Sequence, residues 1–206
     1  MIRVKICGIT RPQDALAAAQ AGADAIGMVF YAGSPRAIDA ERAVEIVAVL
    51  PPFVTAVALF VNATTADVAK LLDLQQIDLL QFHGDEDEVY CSQFGMPYIK
   101  AIRVGADTDL VQCARNFHSA KGLLLDAQVA GSYGGTGHTF DWQRIPRDLT
   151  KPIILSGGLT PQNVGLAVSS VKPWAVDVST GVEAAKGIKD AHKIADFINK
   201  ARNADV

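Results

Sequence analysis

The chain has 206 residues, half of them hydrophobic and a fifth charged, with a formal net charge of -3. That balance supports one packed domain over residues 1–206 and argues against disorder; with no Lys/Arg block and no apolar run of membrane-spanning length, no nucleic-acid partner and no membrane are expected. Three scattered cysteines, Cys7, Cys91 and Cys113, make neither a disulfide framework nor a metal pattern, so a cytoplasmic protein is expected, and Ile2–Cys7 reads as a strand that leaves no room for a signal peptide.

Short apolar runs alternate along the chain with longer helix-like segments. The strand candidates are Arg3–Cys7, Ala25–Phe30, Thr55–Val61, Asp78–Phe82, Tyr98–Arg103, Gly122–Asp126, Pro152–Leu155 and Ala175–Val178. Several are apolar on both faces, which marks a parallel sheet covered by helices. Helices are expected at Pro12–Ala21, Ala40–Leu50, Thr65–Leu74, Glu86–Phe94, Asp107–Phe117, Pro161–Val168 and Asp190–Ala201. Thr10 with Gln13 reads as a capping box, and Thr160 before Pro161 as a cap and first helical residue. After the sixth strand the pattern weakens into a glycine-rich loop, Gly131–Gly137, and a short Phe140–Ile145 segment. Eight lean strand–helix units predict an α/β fold, a single-domain (β/α)8 TIM barrel, which needs about 200 residues at least. A doubly wound open sheet is the alternative, but Cys7-Gly8-Ile9-Thr10 lacks the glycine-rich turn that fold uses for phosphate.

A barrel collects function at the carboxyl ends of its strands. Here those ends read Cys7, Phe30 with Ser34 and Arg36 beyond it, Asn62, Gln81 and His83, Arg103, Asp126, Ser156-Gly157-Gly158 and Asp177 to Gly181. Ser156-Gly157-Gly158 and Ser179-Thr180-Gly181 resemble a phosphate cradle, because glycines let backbone N–H groups approach an anion. Thr180 with Glu183 would open a short capped helix there. Cys7 ends a strand beside a glycine, where a thiolate serves as a base if its pKa falls from about 8.5 toward neutrality. Cys91 and Cys113 fall in helix-like segments and read as small buried hydrophobes. Asp126, after three leucines at a barrel mouth, reads as a functional acid on the side opposite Cys7. Arg36, in a polar loop, reads either as a solvated surface arginine, the commoner fate, or as a clamp that holds a carboxylate with its planar fork and affects binding more than folding. His83 reads either as an acid–base group or as a hydrogen-bonding scaffold.

Lys5-Ile6-Cys7-Gly8-Ile9-Thr10, Ser34-Pro35-Arg36, Leu59-Phe60-Val61-Asn62, Gln81-Phe82-His83-Gly84, the Gly134–Trp142 loop, Leu155-Ser156-Gly157-Gly158-Leu159 and Val176-Asp177-Val178-Ser179 with Gly181-Val182-Glu183 resemble the phosphoribosylanthranilate isomerase family from end to end. Thr180 departs from a position where that family often carries serine, and keeps a hydroxyl. The resemblance implies a cofactor-free enzyme of tryptophan biosynthesis that performs an Amadori rearrangement on a phosphorylated aminosugar. It implies Cys7 as general base, Asp126 as general acid and Arg36 on the anthranilate carboxylate. Gln81, His83 and Asp177 are expected to touch substrate, and Gly157, Gly158, Ser179, Thr180 and Gly181 to bind its phosphate. No metal is expected, and the chain is read as a monomer or homodimer. Two alternatives are a histidine-pathway aminosugar isomerase, which has aspartate where Cys7 stands, and a non-catalytic phosphometabolite-binding protein.

Overall fold

A computed structural model describes residues 1–73, 76–128 and 139–204. Eight parallel strands close into one barrel in sequential order: β1 (Arg3–Cys7), β2 (Ala25–Val29), β3 (Thr55–Phe60), β4 (Leu79–Phe82), β5 (Tyr98–Val104), β6 (Gly122–Ala127), β7 (Ile153–Leu155) and β8 (Ala175–Val178). Around them, among the described residues, stand α1 (Pro12–Gln20), α2 (Ala40–Val47), α3 (Thr65–Leu72), α4 (Glu88–Ser92), α5 (Leu110–Asn116), α6 (Val164–Val171) and α7 (Ala191–Asn203). The strands are the eight expected runs, with ends moved by at most one residue.

Period-2 alternation explains where the two kinds of side chain go. Val4 and Ile6 face outward into the main core with Ile26, Met28, Ile194 and Phe197. Inside the barrel, Ile99, Ala101, Leu124, Ile154 and Ala175 form a separate apolar layer. Two residues further along the same strands come Arg103, Asp126, Ser156 and Asp177. The lumen therefore changes from apolar to polar toward the carboxyl ends.

Helix starts differ from expectation where a side chain found a better partner. Thr10 caps nothing: its hydroxyl donates to the Gly187 carbonyl, and Arg11 stands at the cap of α1 without a side-chain capping bond. The helix expected from Pro161 begins at Val164, because Asn163 folds the preceding turn back on itself. Its Oδ1 accepts the Thr160 N–H at 2.8 Å and its Nδ2 donates to the Gly158 carbonyl at 3.0 Å. α4 begins at Glu88 rather than Glu86, with Asp87 as its cap. Glu86 instead accepts from the Asn62 and Gly84 N–H groups and pairs with Lys100. The expected short segment after β6 is a 3-10 turn, Trp142–Arg144. The Gly131–Gly137 loop lies outside the described residues.

Candidate active site

Cys7 ends β1 and is 6% exposed, lining the mouth with Val29, Leu59 and Val61. Two residues earlier on the same face is Lys5, whose Nζ lies 2.7 Å from Asp177 Oδ1. That ion pair follows from barrel closure, since the β1–β8 register sets Lys5 opposite Asp177. Asp177 Oδ2 accepts from Ser156 Oγ at 3.3 Å. Opposite Cys7 in β2 stands Gly27, where a Cβ would sit 2.8 Å from Cys7 Sγ and 3.1 Å from Lys5 Nζ. A glycine there leaves both side chains their space. Burial pushes the Cys7 thiol above its ordinary value, against the pull of the Lys5 and Lys189 ammoniums. This runs counter to the fall in pKa that the sequence reading requires of a base. Burial also opposes the Lys5 charge, yet Asp177 and Cys7 hold it above the ordinary lysine value.

Asp126, on β6, is 5% exposed. Its Oδ1 accepts the Ala127 N–H at 2.9 Å and its Oδ2 lies 3.2 Å from His83 Nε2. His83 Nδ1 in turn lies 2.9 Å from Gln81 Nε2. With the Gln81 amide donating to Nδ1, the His83 proton sits on Nε2 and faces Asp126. Gln81 Oε1 is buried and has no hydrogen-bond partner. Gln81 and His83, expected at the substrate, thus form a buried chain behind the carboxyl of Asp126.

Arg36 is not in an open loop. It is 8% exposed and its fork closes on Glu183, Nε to Oε1 at 2.6 Å and Nη2 to Oε2 at 2.8 Å. Its side chain crosses Gly8, where a Cβ would meet Arg36 Cδ at 2.5 Å. Gly8 itself has φ +73°. Glu183 also receives Lys189 Nζ at 3.0 Å, and Lys189 donates to the Ser179 carbonyl at 3.0 Å. Burial raises the Glu183 carboxyl, but Arg36 and Lys189 outweigh it and hold the group below its ordinary value. Lys189 goes the other way, since burial pushes its ammonium down more than Glu183 restores it. Two of the five guanidinium N–H groups of Arg36 go to Glu183, so the outer edge of the fork remains to meet an anion. The expected Thr180–Glu183 capping box does not form. A 3-10 turn is present at Thr180–Val182, but Glu183 serves Arg36 instead.

The two loops read as a phosphate cradle meet at Gly181. A Cβ there would lie 2.0 Å from the Leu159 carbonyl oxygen, so only glycine permits the approach. Gly157 and Gly158 have φ of +81° and +61°, which turn the chain sharply after β7. Gly157 also backs the acid, with its Cβ position 3.1 Å from Asp126 Oδ1. Cys91 is buried in α4 and Cys113 half-buried in α5, both away from this mouth. No group of three or more His, Cys, Asp or Glu among the described residues could hold a metal ion. A groove of about 870 Å³ between the 3-10 turn at Trp142–Arg144 and α6 is lined by none of the site residues named above.

Lys5, Glu183 and Lys189 escaped sequence reasoning as members of the site. For Lys5 a signal existed, since a charged residue two before Cys7 shares its face of the strand. For Glu183 and Lys189 the pairing depends on chain geometry beyond the last barrel strand.

The sequence profile described as N-(5'phosphoribosyl)anthranilate (PRA) isomerase matches residues 4–200. An N-(5'-phosphoribosyl)anthranilate isomerase of Pseudomonas aeruginosa is 58% identical over 202 residues, covering 98% of this chain and 96% of that one. One from Thiobacillus denitrificans is 59% identical over 201 residues, 98% of each chain. The crystal structure of phosphoribosyl anthranilate isomerase from Thermotoga maritima superposes with a TM-score of 0.90 at 42% identity, covering 98% of this chain and all of that one. A phosphoribosyl anthranilate isomerase crystallised with reduced 1-(o-carboxyphenylamino)-1-deoxyribulose 5-phosphate is 40% identical, with a TM-score of 0.87 and coverage of 98% and 100%.

Proposed function

The chain belongs to the N-(5'-phosphoribosyl)anthranilate isomerase family and catalyses that isomerisation in tryptophan biosynthesis, and from this premise we propose that Cys7 is its general base and Asp126 its general acid. Asp126 protonates the ribose ring oxygen. The C1–O bond breaks and the nitrogen lone pair forms the C1=N bond of a Schiff base. Cys7, as thiolate, takes the proton from C2. The C–H electron pair becomes the C1=C2 bond, and nitrogen recovers its lone pair. The resulting enolamine tautomerises to the ketone product. The electron-poor Schiff base makes the C2 proton acidic enough for a modest base, so neither cofactor nor metal is required.

The observation that carries this reading is the mouth itself. A buried thiol on β1 and a buried carboxyl on β6, each backed by its own polar partners, stand on well-separated strands of one barrel. An acid and a base acting on different atoms of one sugar need that separation. In the same reading, the outer edge of the Arg36 fork takes the anthranilate carboxylate. Backbone N–H groups of Gly157, Gly158, Ser179, Thr180 and Gly181 take the phosphate. His83 and Gln81 orient Asp126, and Asp177 acts through Lys5. Every group comes from one chain working as a single barrel domain, so a monomer and a homodimer would turn over alike per site. We place the enzyme in the cytoplasm, where its free thiols stay reduced.

The test is turnover of the fluorescent anthranilate substrate. Cys7→Ser and Asp126→Asn should fold and lose activity by about 10²–10⁴-fold, the usual share of a general acid or base. Cys91→Ser and Cys113→Ser should keep turnover near the parent's. Near-parent activity in Cys7→Ser removes the base assignment, and a loss under about tenfold in Asp126→Asn, on the order of 1.4 kcal/mol, means another group protonates the ring.

A further inference from the structure

Resting on the base assignment above, we propose that Lys5 is the positioning residue of Cys7: its ammonium, clamped by Asp177, holds the charge of the thiolate. Alternation along β1 puts Lys5 and Cys7 on one face, and the barrel's closing register sets Asp177 opposite Lys5. Asp177 takes one N–H of the ammonium at 2.7 Å. Gly27 keeps the space into which both Sγ and Nζ reach, 2.8 and 3.1 Å from one point.

A buried ion pair of this kind is a poor way to stabilise a barrel, because desolvation offsets most of the attraction and apolar residues of similar volume pack as well. Its place beside the base gives it another use. The charged groups that face Cys7 are Lys5 on its own strand, Asp177 on β8, Lys189 in the chain after the Thr180–Val182 turn, and Arg36 beyond β2. Lys189 and Arg36 are both engaged by Glu183. Three cations against two carboxylates leave one positive charge, and a Cys7 thiolate closes that count. Burial alone would keep Cys7 as the thiol. The adjacent ammonium brings the anion within reach.

The test titrates Cys7 in the folded protein, reading thiolate ultraviolet absorbance as the difference between each protein and its Cys7→Ser counterpart. Lys5→Met removes the cation, so the titration midpoint should move to higher pH by about one unit or more, a tenfold loss of thiolate below it. The acid limb of kcat/KM should move with it. Asp177→Asn removes the competing anion, so the Lys5 charge acts on sulfur undivided and the midpoint should move to lower pH. Opposite shifts from two members of one ion pair are something that damaged packing does not produce. Unmoved midpoints, or shifts of the same sign, overturn the proposal. If Lys5→Met does not fold, because Asp177 is left buried and alone, the sign of the Asp177→Asn shift decides. Retained turnover in Cys7→Ser would strike the base assignment separately, while the titration would still report on Lys5.

Discussion

Replacing Gly181 by alanine isolates the junction of the two proposed phosphate loops. The new methyl would lie 2.0 Å from the Leu159 carbonyl oxygen and 3.1 Å from Thr160 Cα. Both neighbours are backbone, so the loops must separate by more than an ångström to restore ordinary contact. Gly181 does not have a positive φ, so the cost is steric. Overpacking of this kind typically costs about 1–3 kcal/mol, or about 2–12 °C of Tm for a chain of this length. The functional effect is separable from that loss. A ligand that binds only the folded state stabilises it by about 2.7 kcal/mol at a hundred times its Kd, worth about 5–11 °C here. Thermal unfolding of the parent in rising inorganic phosphate should show that gain, with chloride at equal ionic strength as the control. Gly181→Ala should start lower and gain little, and its KM for substrate should rise. A variant with the parent's phosphate response, or a parent that chloride stabilises as well, would show that these loops do not hold the phosphate.

Arg36→Met should raise KM at least about tenfold, since charge-assisted bonds contribute about 1.5–3 kcal/mol. Contrary to expectation for an exposed loop residue, it should also lower Tm, because Glu183 loses its bidentate partner in a buried setting; an unchanged Tm would mean Lys189 suffices. The Glu183 carboxyl is held below its ordinary value in the fold, so its contribution to stability is complete above the unfolded value of about 4.3 and is lost as pH falls through the folded one. Urea midpoints of the parent and Glu183→Gln, followed from neutral pH to about pH 3, should therefore converge at the acid end; a constant gap would show that the charge of Glu183 is not what stabilises.

Strand positions were readable because parallel strands buried on both faces leave continuous apolar runs, and β1 and β8 fall on the expected residues. The barrel mouth was readable for the same reason, since strand ends locate it and Cys7, Asp126, the Gly157-Gly158 pair and Gly181 stand there. Cap positions were less legible. Thr10, Asn163, Glu86 and Glu183 all carry groups that suit a helix start, yet each bonds elsewhere or one turn away, because a nearer backbone or charge satisfied it first.

The sequence by itself determined the barrel, the order of its strands and the ends at which chemistry collects, because these follow from local periodicity and chain length. Only the tertiary structure decided which polar groups meet. The Lys5–Asp177 pair joins residues 172 positions apart and exists because closing the barrel brings the first strand against the last. The Arg36–Glu183 clamp spans 147 positions and depends on a path cleared by Gly8. Side chains that distant share no periodicity. Their partnership is set by register and closure, which no stretch of sequence carries alone.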